Sequence, residues 1–465
     1  MGNELFNPNQ KNKKVLTIFA RGDNSYGNIT HLNRPLNFEK IFCENFQCFG
    51  IDNKGILYSW GLNNTFQLAN GKNDNYLYSK SYNKDNYTFK NNFSILSYEP
   101  SKYKEIINNL KKKYYFYNDK IPFPIVPKKI KKITCGDGYS LFLDNEGNIY
   151  SVGKNDKGQL GYEIPNDNCN IIEGVKCNNT LTKISFFQKN NIYINSIFSG
   201  SDFSFAQDSK GIFYSWGNNK NNQLGRETNT IINFIPEKAV FINEINDIEK
   251  IEKLCLGWSS GILLTNNNCY IWGNPFYDYD KTFPNLKTPE KIEYNKSIYK
   301  IINIECGFHH FCLIVENVNK NTFSLMTFGL NDFGQLGYET ESNFTTEVKV
   351  VDFGKKEKNI NVKNAFCGAF HTIVLLENNN IYGFGQNDNK QIGNYDCEYS
   401  NKPLIWNYNI DEENIENKTL YNIICGNGIT ILIYKDKEEY EEEVRREIEN
   451  KKKYIEIEIP NQNKM

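Results

Sequence analysis

The residues whose types could do chemistry are few and can be weighed group by group. Gly257-Trp258-Ser259-Ser260-Gly261 spells G-x-S-x-G, the sharp elbow that presents a hydrolase serine. That elbow needs a strand, a strained turn and then a helix. These residues instead open a repeated β-hairpin, so no serine nucleophile is expected. His309-His310 offers two imidazoles, but neighbours on a strand point to opposite faces, and no third ligand stands out beside them. No metal site is expected. The phosphate-cradling G-x-x-x-x-G-K-[ST] loop is missing as well, so no nucleotide cofactor is expected either. Among the 12 cysteines no pair has C-x-x-C spacing, and Cys135, Cys306, Cys367 and Cys425 fall in one recurring slot. They read as small buried apolar side chains. Asp137 and Asp202 follow recurring glycines, where each could cap its own turn or face a partner. With no covalent machinery in view, the chain reads as a binding protein and not as an enzyme.

The bulk properties exclude further classes. The 465 residues carry 54 basic and 55 acidic side chains, so no global charge draws the chain to nucleic acid or to an anionic membrane. The start, residues 1–14, is polar, and the apolar run from Val15 to Ala20 is too short for a signal sequence or a membrane span. The expected location is therefore nucleus or cytoplasm, without secretion and without a membrane partner.

The elements that must position these residues repeat. Cys135 to Gly153 and Ser199 to Gly217 each span 18 positions, as do Cys43 to Gly61 and Cys367 to Gly385. Gly217, Gly273, Gly329 and Gly385 follow one another at intervals of 56. Each copy reads as a strand, a Gly-containing turn and a second β-rich run, followed by a Gly158-Gln159-Leu160-Gly161 type of connection. One such sheet cannot bury its faces alone, so copies must pack face to face around an axis. The slot that opens the hairpin occurs at Cys43, Cys135, Ser199, Leu256, Cys306, Cys367 and Cys425, and the closing position at Ala20, Gly61, Gly153, Gly217, Gly273, Gly329 and Gly385. The chain begins with a closing element and ends with an opening one. Val15 to Ala20 should therefore complete the sheet that Ile429 to Tyr434 starts. The predicted fold is all-β, a seven-bladed β-propeller closed by mixing N- and C-terminal strands over residues 15–436.

These motifs resemble the regulator of chromosome condensation repeat family, across roughly residues 15–436. Gly136, Gly200, Gly257, Gly307, Gly368 and Gly426 match its structural glycines, while Ala20 and Glu44 stand where it usually has Gly. The order of slots, Gly136-Asp137, Gly200-Ser201-Asp202, then Gly307-Phe308-His309-His310, with Gly22-Asp23 near the start, is most similar to members that exchange guanine nucleotide on the small GTPase Ran. The resemblance implies a monomeric exchange factor that expels GDP from a Ran-like GTPase by protein contact. It implies GTPase-facing roles for Asp202, Asp137, His309 and Asp23. His310 and His371 take the family's structural histidine slot, and the position before it, that of Asp202 and His309, is expected to be exposed. A loop that displaces the GTPase's phosphate-binding region is implied between Tyr162 and Leu181. The family also contains propeller scaffolds without exchange activity, which is the alternative function.

Residues 70–128 exceed the repeat and are rich in Asn, Lys and Tyr, so they read as an excursion dispensable for closure. Lys128, Lys129, Lys131 and Lys132 around Ile130 fit a strand face or a nuclear import signal. Lys11, Lys13 and Lys14 form a weak basic patch through which chromatin could be a partner. Residues 437–465 form a charged tail, with Glu441/Arg445 and Glu442/Arg446 at helical spacing. A solvated helix and a partner-binding helix both fit that pattern.

Overall fold

The computed structural model describes residues 16–22, 38–52, 57–69, 94–95, 130–165, 169–276, 285–354, 357, 361–393, 395–407 and 417–458. Among them the chain forms seven antiparallel sheets. The first strand, β1 (Thr17–Gly22), belongs to the last sheet. The next sheet contains β2 (Phe38–Glu44), β3 (Gln47–Asp52), β4 (Leu57–Gly61) and β5 (Ser94–Ile95). Then come β6 (Ile130–Gly136), β7 (Tyr139–Asp144), β8 (Ile149–Lys154), β9 (Asn170–Ile172) and β10 (Val175–Lys183). Three four-stranded sheets follow: β11 (Ile194–Ser199) to β14 (Ile232–Lys238), β15 (Ile251–Leu256) to β18 (Leu286–Lys291), and β19 (Tyr299–Cys306) to β22 (Phe344–Val350). Another runs from β23 (Val362–Cys367) to β26 (Tyr399–Ile405), and the closing sheet orders β1 beside β28 (Ile429–Asp436) and β27 (Lys418–Cys425). Helices α1 (Ser185–Lys189) and α2 (Val240–Ile248) cover connections between sheets. Helix α3 (Lys437–Glu458) follows the last strand, and no helix among the described residues is long and apolar enough to cross a membrane.

The burial along each sheet explains the architecture. The second strands β7, the one at Ser260–Thr265 (β16) and the one at His371–Leu376 (β24) are buried at every position. Such strands must be covered on both faces. The outer strands β14 and β22 are almost entirely exposed or half-buried. Each inner strand carries a register shift in its first half, at Ile130/Lys132, Ile251/Lys253 and Val362/Asn364 among others. A bulge there raises the local twist and bends the strand.

The core is divided among interfaces between neighbouring sheets. Phe49 and Leu57 pack with Ile133 and Phe142, Tyr139 and Leu141 with Ile197 and Trp216, and Phe203 and Phe205 with Leu254 and Trp272. Ile262 meets Phe311 and Phe328, Cys312 meets Val374 and Phe384, and Ile373 meets Leu432 and Tyr434. The last interface joins Leu16, Ala20 and Ile431 to Phe38, Tyr58 and Trp60, so every sheet touches two neighbours and the ring is closed. This is the seven-bladed propeller, with the termini mixed as the repeat phase requires: Thr17 pairs with Tyr434, and the ladder continues to Gly22 opposite Ile429.

Three details depart from the sequence reading. Within the stretch expected to be dispensable, Ser94–Ile95 pairs with Tyr58–Ser59 as the outer strand of its sheet, so a deletion across it would remove a strand. Cys43 forms a disulfide with Cys48 directly across the β2–β3 ladder. The slot cysteines are not uniformly buried: Cys135 is, whereas Cys306, Cys367 and Cys425 are half-buried and line an axial cavity. In the tail, α3 bears the Glu441/Arg445 and Glu442/Arg446 pairs at 3.5 and 3.0 Å and is docked by Lys435, whose Nζ lies 2.6 Å from Glu443.

Deleting residues 1–22 removes Leu16, Ile18, Phe19 and Ala20 from two interfaces and leaves β28 as an open edge. Buried apolar side chains contribute about 1.5–3 kcal/mol each, so the thermal midpoint should drop sharply. A melt superimposable on that of the full chain would show that β1 does not close the ring.

Candidate interaction rim

Each inner strand ends in a tight turn that leads into the second strand, and these turns form one rim of the ring. They are tied to one another through the backbone. The Asp137 N–H donates to the Ser201 carbonyl at 2.7 Å, Trp258 N–H to Phe308 at 2.8 Å, Phe308 N–H to Ala369 at 3.2 Å, and Asn427 N–H to Asn45 at 2.9 Å. The structural glycines make this approach close. A Cβ on Gly136 would overlap the Tyr139 ring and sit 2.6 Å from the Gly200 carbonyl, and one on Gly307 would overlap His310. Gly200 and Gly368 are blocked in the same way by Phe203 and His371, and Gly257 and Gly426 by the Phe308 and Asn45 carbonyls.

Asp137 and Asp202 stand on adjacent blades of this rim. Asp137 keeps 48% of its side chain exposed and accepts from Lys154 Nζ at 3.0 Å. Burial works against the charge on Lys154, but Asp137, Asp156 and Asp202 together hold its pKa above the ordinary value. Asp202 is half-buried and accepts from Asn218 Nδ2 at 2.8 Å. Burial raises its carboxyl pKa, against the pull of Asn218 and Lys154. Asp137, Asp156, Lys154 and Asp202 thus form a charged arc in which each acid has an internal partner.

The β9–β10 hairpin rises beside that arc. Cys177 is opposite Lys154, the last residue of β8, and the Asn155 N–H donates to Lys176 O at 2.7 Å. Residues 170–176 therefore extend past the end of β8 on the side where Asp137 lies. The hairpin turns at Glu173-Gly174, both with positive φ (50° and 83°), and Ile171 beside the turn is 69% exposed. This segment falls within Tyr162 to Leu181, where the family resemblance places a displacing loop.

His309 is corrected. The position before the structural histidine was expected to be exposed, but His309 is only 6% exposed. Its pKa falls to about 4 through burial, opposed by the Pro275 backbone. The ring interacts with the Pro275 backbone in the loop after β17 (Cys269–Gly273), which accounts for its burial. His310 and His371 do reach the next blade, through Nε2 to the Thr372 and Thr430 hydroxyls at 3.1 and 3.0 Å. Asp23 lies outside the described residues, as do Lys11, Lys13, Lys14, Lys128 and Lys129. Lys131 and Lys132 are part of β6: Lys131 Nζ donates to Asn195 O at 3.0 Å, and Lys132 Nζ lies 4.6 Å over the Phe198 ring, which fits the strand-face reading. The G-x-S-x-G residues link two strands, β15 and β16, with no following helix.

Sequence reasoning missed an aromatic arc that continues the rim on the blades after Asp202. Trp258 and Phe308 are 4.7 Å apart between ring centres, Phe308 and Phe370 5.5 Å, and Phe370 and Phe333 5.3 Å. All four are half-buried. The signal was available, since Trp258 and Phe308 each directly follow a structural glycine.

Sequence profiles of the Regulator of chromosome condensation (RCC1) repeat match residues 130–159, 324–375 and 362–391. The X-linked retinitis pigmentosa GTPase regulator of Homo sapiens is 27% identical over 267 residues, which are 57% of this chain and 24% of that protein. The ultraviolet-B receptor UVR8 of Arabidopsis thaliana is 26% identical over 280 residues, 60% of this chain and 58% of the receptor. The chain thus spans about a quarter of the first relative's length and somewhat over half of the second's. Among solved structures, Prp20p of Saccharomyces cerevisiae, characterised for its binding to Gsp1p and histones, superposes with a TM-score of 0.61 at 16% identity, covering 94% of this chain and 96% of its own. That likeness is one of fold.

The buried histidines predict a pH response. In the folded chain His309, His310 and His371 have pKa values pushed down to about 4, 3 and 3, below the unfolded value of 6.5. The unfolded state therefore binds more protons once the pH falls below about 6.5. Their stabilisation is complete above that pH and is lost as the pH drops toward 4, with a limiting slope of about 1.4 kcal/mol per pH unit for each ring. Urea unfolding at pH 7 and pH 5 should show a clearly lower midpoint at pH 5. Equal midpoints would mean that the rings protonate freely in the folded state.

Proposed function

We propose that this chain, which belongs to the regulator of chromosome condensation repeat family, is a guanine-nucleotide exchange factor for a Ran-like small GTPase. The observation that carries the reading is the β9–β10 hairpin. Among the described sheets only this one has a fifth strand, and its hairpin continues past the end of β8, whose last residue, Lys154, pairs with Asp137. A rigid strand pair of this kind can enter a partner's phosphate-binding region while Asp137 and Asp202 meet its cationic side chains. No bond chemistry is involved. The propeller binds the nucleotide-free GTPase, and by linkage weakens nucleotide binding by the same factor by which nucleotide weakens its own. On the family resemblance alone we place its action in the nucleus.

A second reading, a propeller scaffold without exchange activity, is favoured by one observation. Asp137 and Asp202 already have internal partners in Lys154 and Asn218, so both could serve the rim itself.

Release of labelled GDP from a purified Ran-type GTPase separates the two. Under the exchange reading the full chain accelerates release, and Asp202→Ala slows it on the order of 30-fold, the roughly 2 kcal/mol of a lost charged contact. Replacing Ile171–Val175 by Asn-Gly should slow it comparably, with an unchanged thermal melt. Asp137→Ala should act in the same direction. His309→Ala, by contrast, should lower the melting temperature. No acceleration by the wild-type chain leaves the scaffold reading.

A further inference from the structure

We infer that His310, Cys312 and Cys367 form a binding site for a thiolate-preferring divalent metal ion of the zinc type, set between two neighbouring blades and reached from the axial channel. The period of a strand puts His310 and Cys312 on one face of β20 (His310–Asn317), and Cys367 ends the inner strand of the next blade. One ligand atom from each lies within 4.8 Å of the others, and the two sulfurs are 3.3 Å apart. An ion with bonds of about 2.3 Å to sulfur and 2.0 Å to nitrogen spans donors roughly 3.5–4 Å apart, so small side-chain shifts suffice.

The repeat supplies its own comparison. At the position of Cys312 the other blades carry Phe49, Leu141, Phe205, Ile262, Ile373 and Ile431. In the next blade His371 and Cys425 occupy the slots of His310 and Cys367, but Ile373 replaces the second thiol. Among the described residues only one interface gathers three donors.

The chemistry of the donors fits a divalent ion. His310 is held neutral by burial, with its pKa near 3, so it is ready to ligate without losing a proton. Its Nε2 meets the Thr372 hydroxyl, whose proton goes to Gln335 O at 2.9 Å, and its Nδ1 is buried without a hydrogen bond. The ring thus holds an unshared lone pair inside the protein. Two thiols that lose their protons, one neutral imidazole and a dication sum to zero charge, which limits the desolvation penalty of a buried site. Thiols ligate as thiolates, so uptake competes with protons and strengthens as pH rises. Cys367 lines the axial cavity, of about 610 Å³, which gives the ion a path. The Thr372 hydroxyl, 4.0 Å from the Cys312 sulfur, or a channel water can take the fourth position. The ion would join adjacent blades and stabilise the ring by mass action.

The test uses the full chain, chelator-stripped under a phosphine reductant, equilibrated with zinc and desalted. About one zinc ion per chain should remain, and zinc should raise the melting temperature. Cys312→Ile, which copies the neighbouring blade, and Cys367→Ser should both abolish retention while still folding. Cys425→Ser, a thiol in the matching slot outside the cluster, should retain it. Cobalt should give the thiolate charge-transfer absorption of a tetrahedral site in the wild type only. Retention equal in the wild type and Cys312→Ile, or a Cys312–Cys367 disulfide in the purified reduced chain, overturns the site.

Discussion

The fold depends on a bond between neighbouring blades through a loop carbonyl, found at five of the seven interfaces among the described residues. The side chain that starts a second strand, or the residue after it, donates to the carbonyl of a glutamine in the preceding connection: Ser140 to Gln67 at 2.8 Å, Ser204 to Gln159 at 3.1 Å, Thr372 to Gln335 at 2.9 Å and Thr430 to Gln391 at 2.8 Å. Trp216 and Trp272 add indole N–H donors to Gln159 and Gln223. These carbonyls are buried and must be paired, and only the adjacent blade can reach them. The loops that present them are held by their own side chains. Asn155 Oδ1 accepts from the Leu160 N–H and Gln159 Oε1 from the Lys157 N–H, and the same closure recurs at Asn219/Gln223, Asn331/Gln335 and Asn387/Gln391. An isolated sheet would leave these groups unsatisfied and both faces wet, so the blades stand or fall together.

The rim follows from that lock. Tyr139 reaches across to the Phe203 carbonyl at 2.6 Å, and His310 and His371 make a similar reach to hydroxyls of the next blade, which fixes the position three after Gly136, Gly307 and Gly368. The one or two positions between are free to vary, and there the sequence places Asp137, Asp202, Trp258 and Phe308. The ring thus presents different side chains at nearly equivalent rigid sites, charged on two adjacent blades and aromatic on the next three. Such a display suits recognition of a large, shaped partner, because the geometry is preorganised and little is ordered on binding.

Much of this was legible in the sequence. The spacing of glycines and slot residues specified the blade count and, through the phase of its two series, the pairing of β1 with β28. Spacing reads what repeats. What it could not read were departures that act through space. Ser94–Ile95 has no repeat signature, yet it completes a sheet because β4 offers an edge beside it. His309 has the right slot for exposure, but the loop carrying Pro275 folds over it. Cys312 sits two residues from His310 in plain view, and its meaning depends on Cys367, which only ring packing brings near.

The two positions that spacing marks as departures from the repeat glycines, Ala20 and Glu44, resolve differently in the structure. At Gly61, Gly153, Gly217, Gly273, Gly329 and Gly385 the backbone takes a positive φ between 85° and 109° opposite the first residue of the second strand. In the closing sheet that place, opposite Ile429, is held by Gly22, so the closing position read from spacing as Ala20 is corrected by two residues: Ala20 lies opposite Ile431, and the slot keeps its glycine. Glu44 replaces a rim glycine and turns the substitution into a cross-blade tie. Its carboxylate accepts from the Cys135 N–H at 2.6 Å and the Thr134 hydroxyl at 2.7 Å, with Ser199 at 3.4 Å. One anionic side chain thereby links three blades at the channel, a stronger bond than a neutral turn provides. The repeat is therefore a constraint on the contacts between blades, and any residue that restores those contacts can stand in its slots.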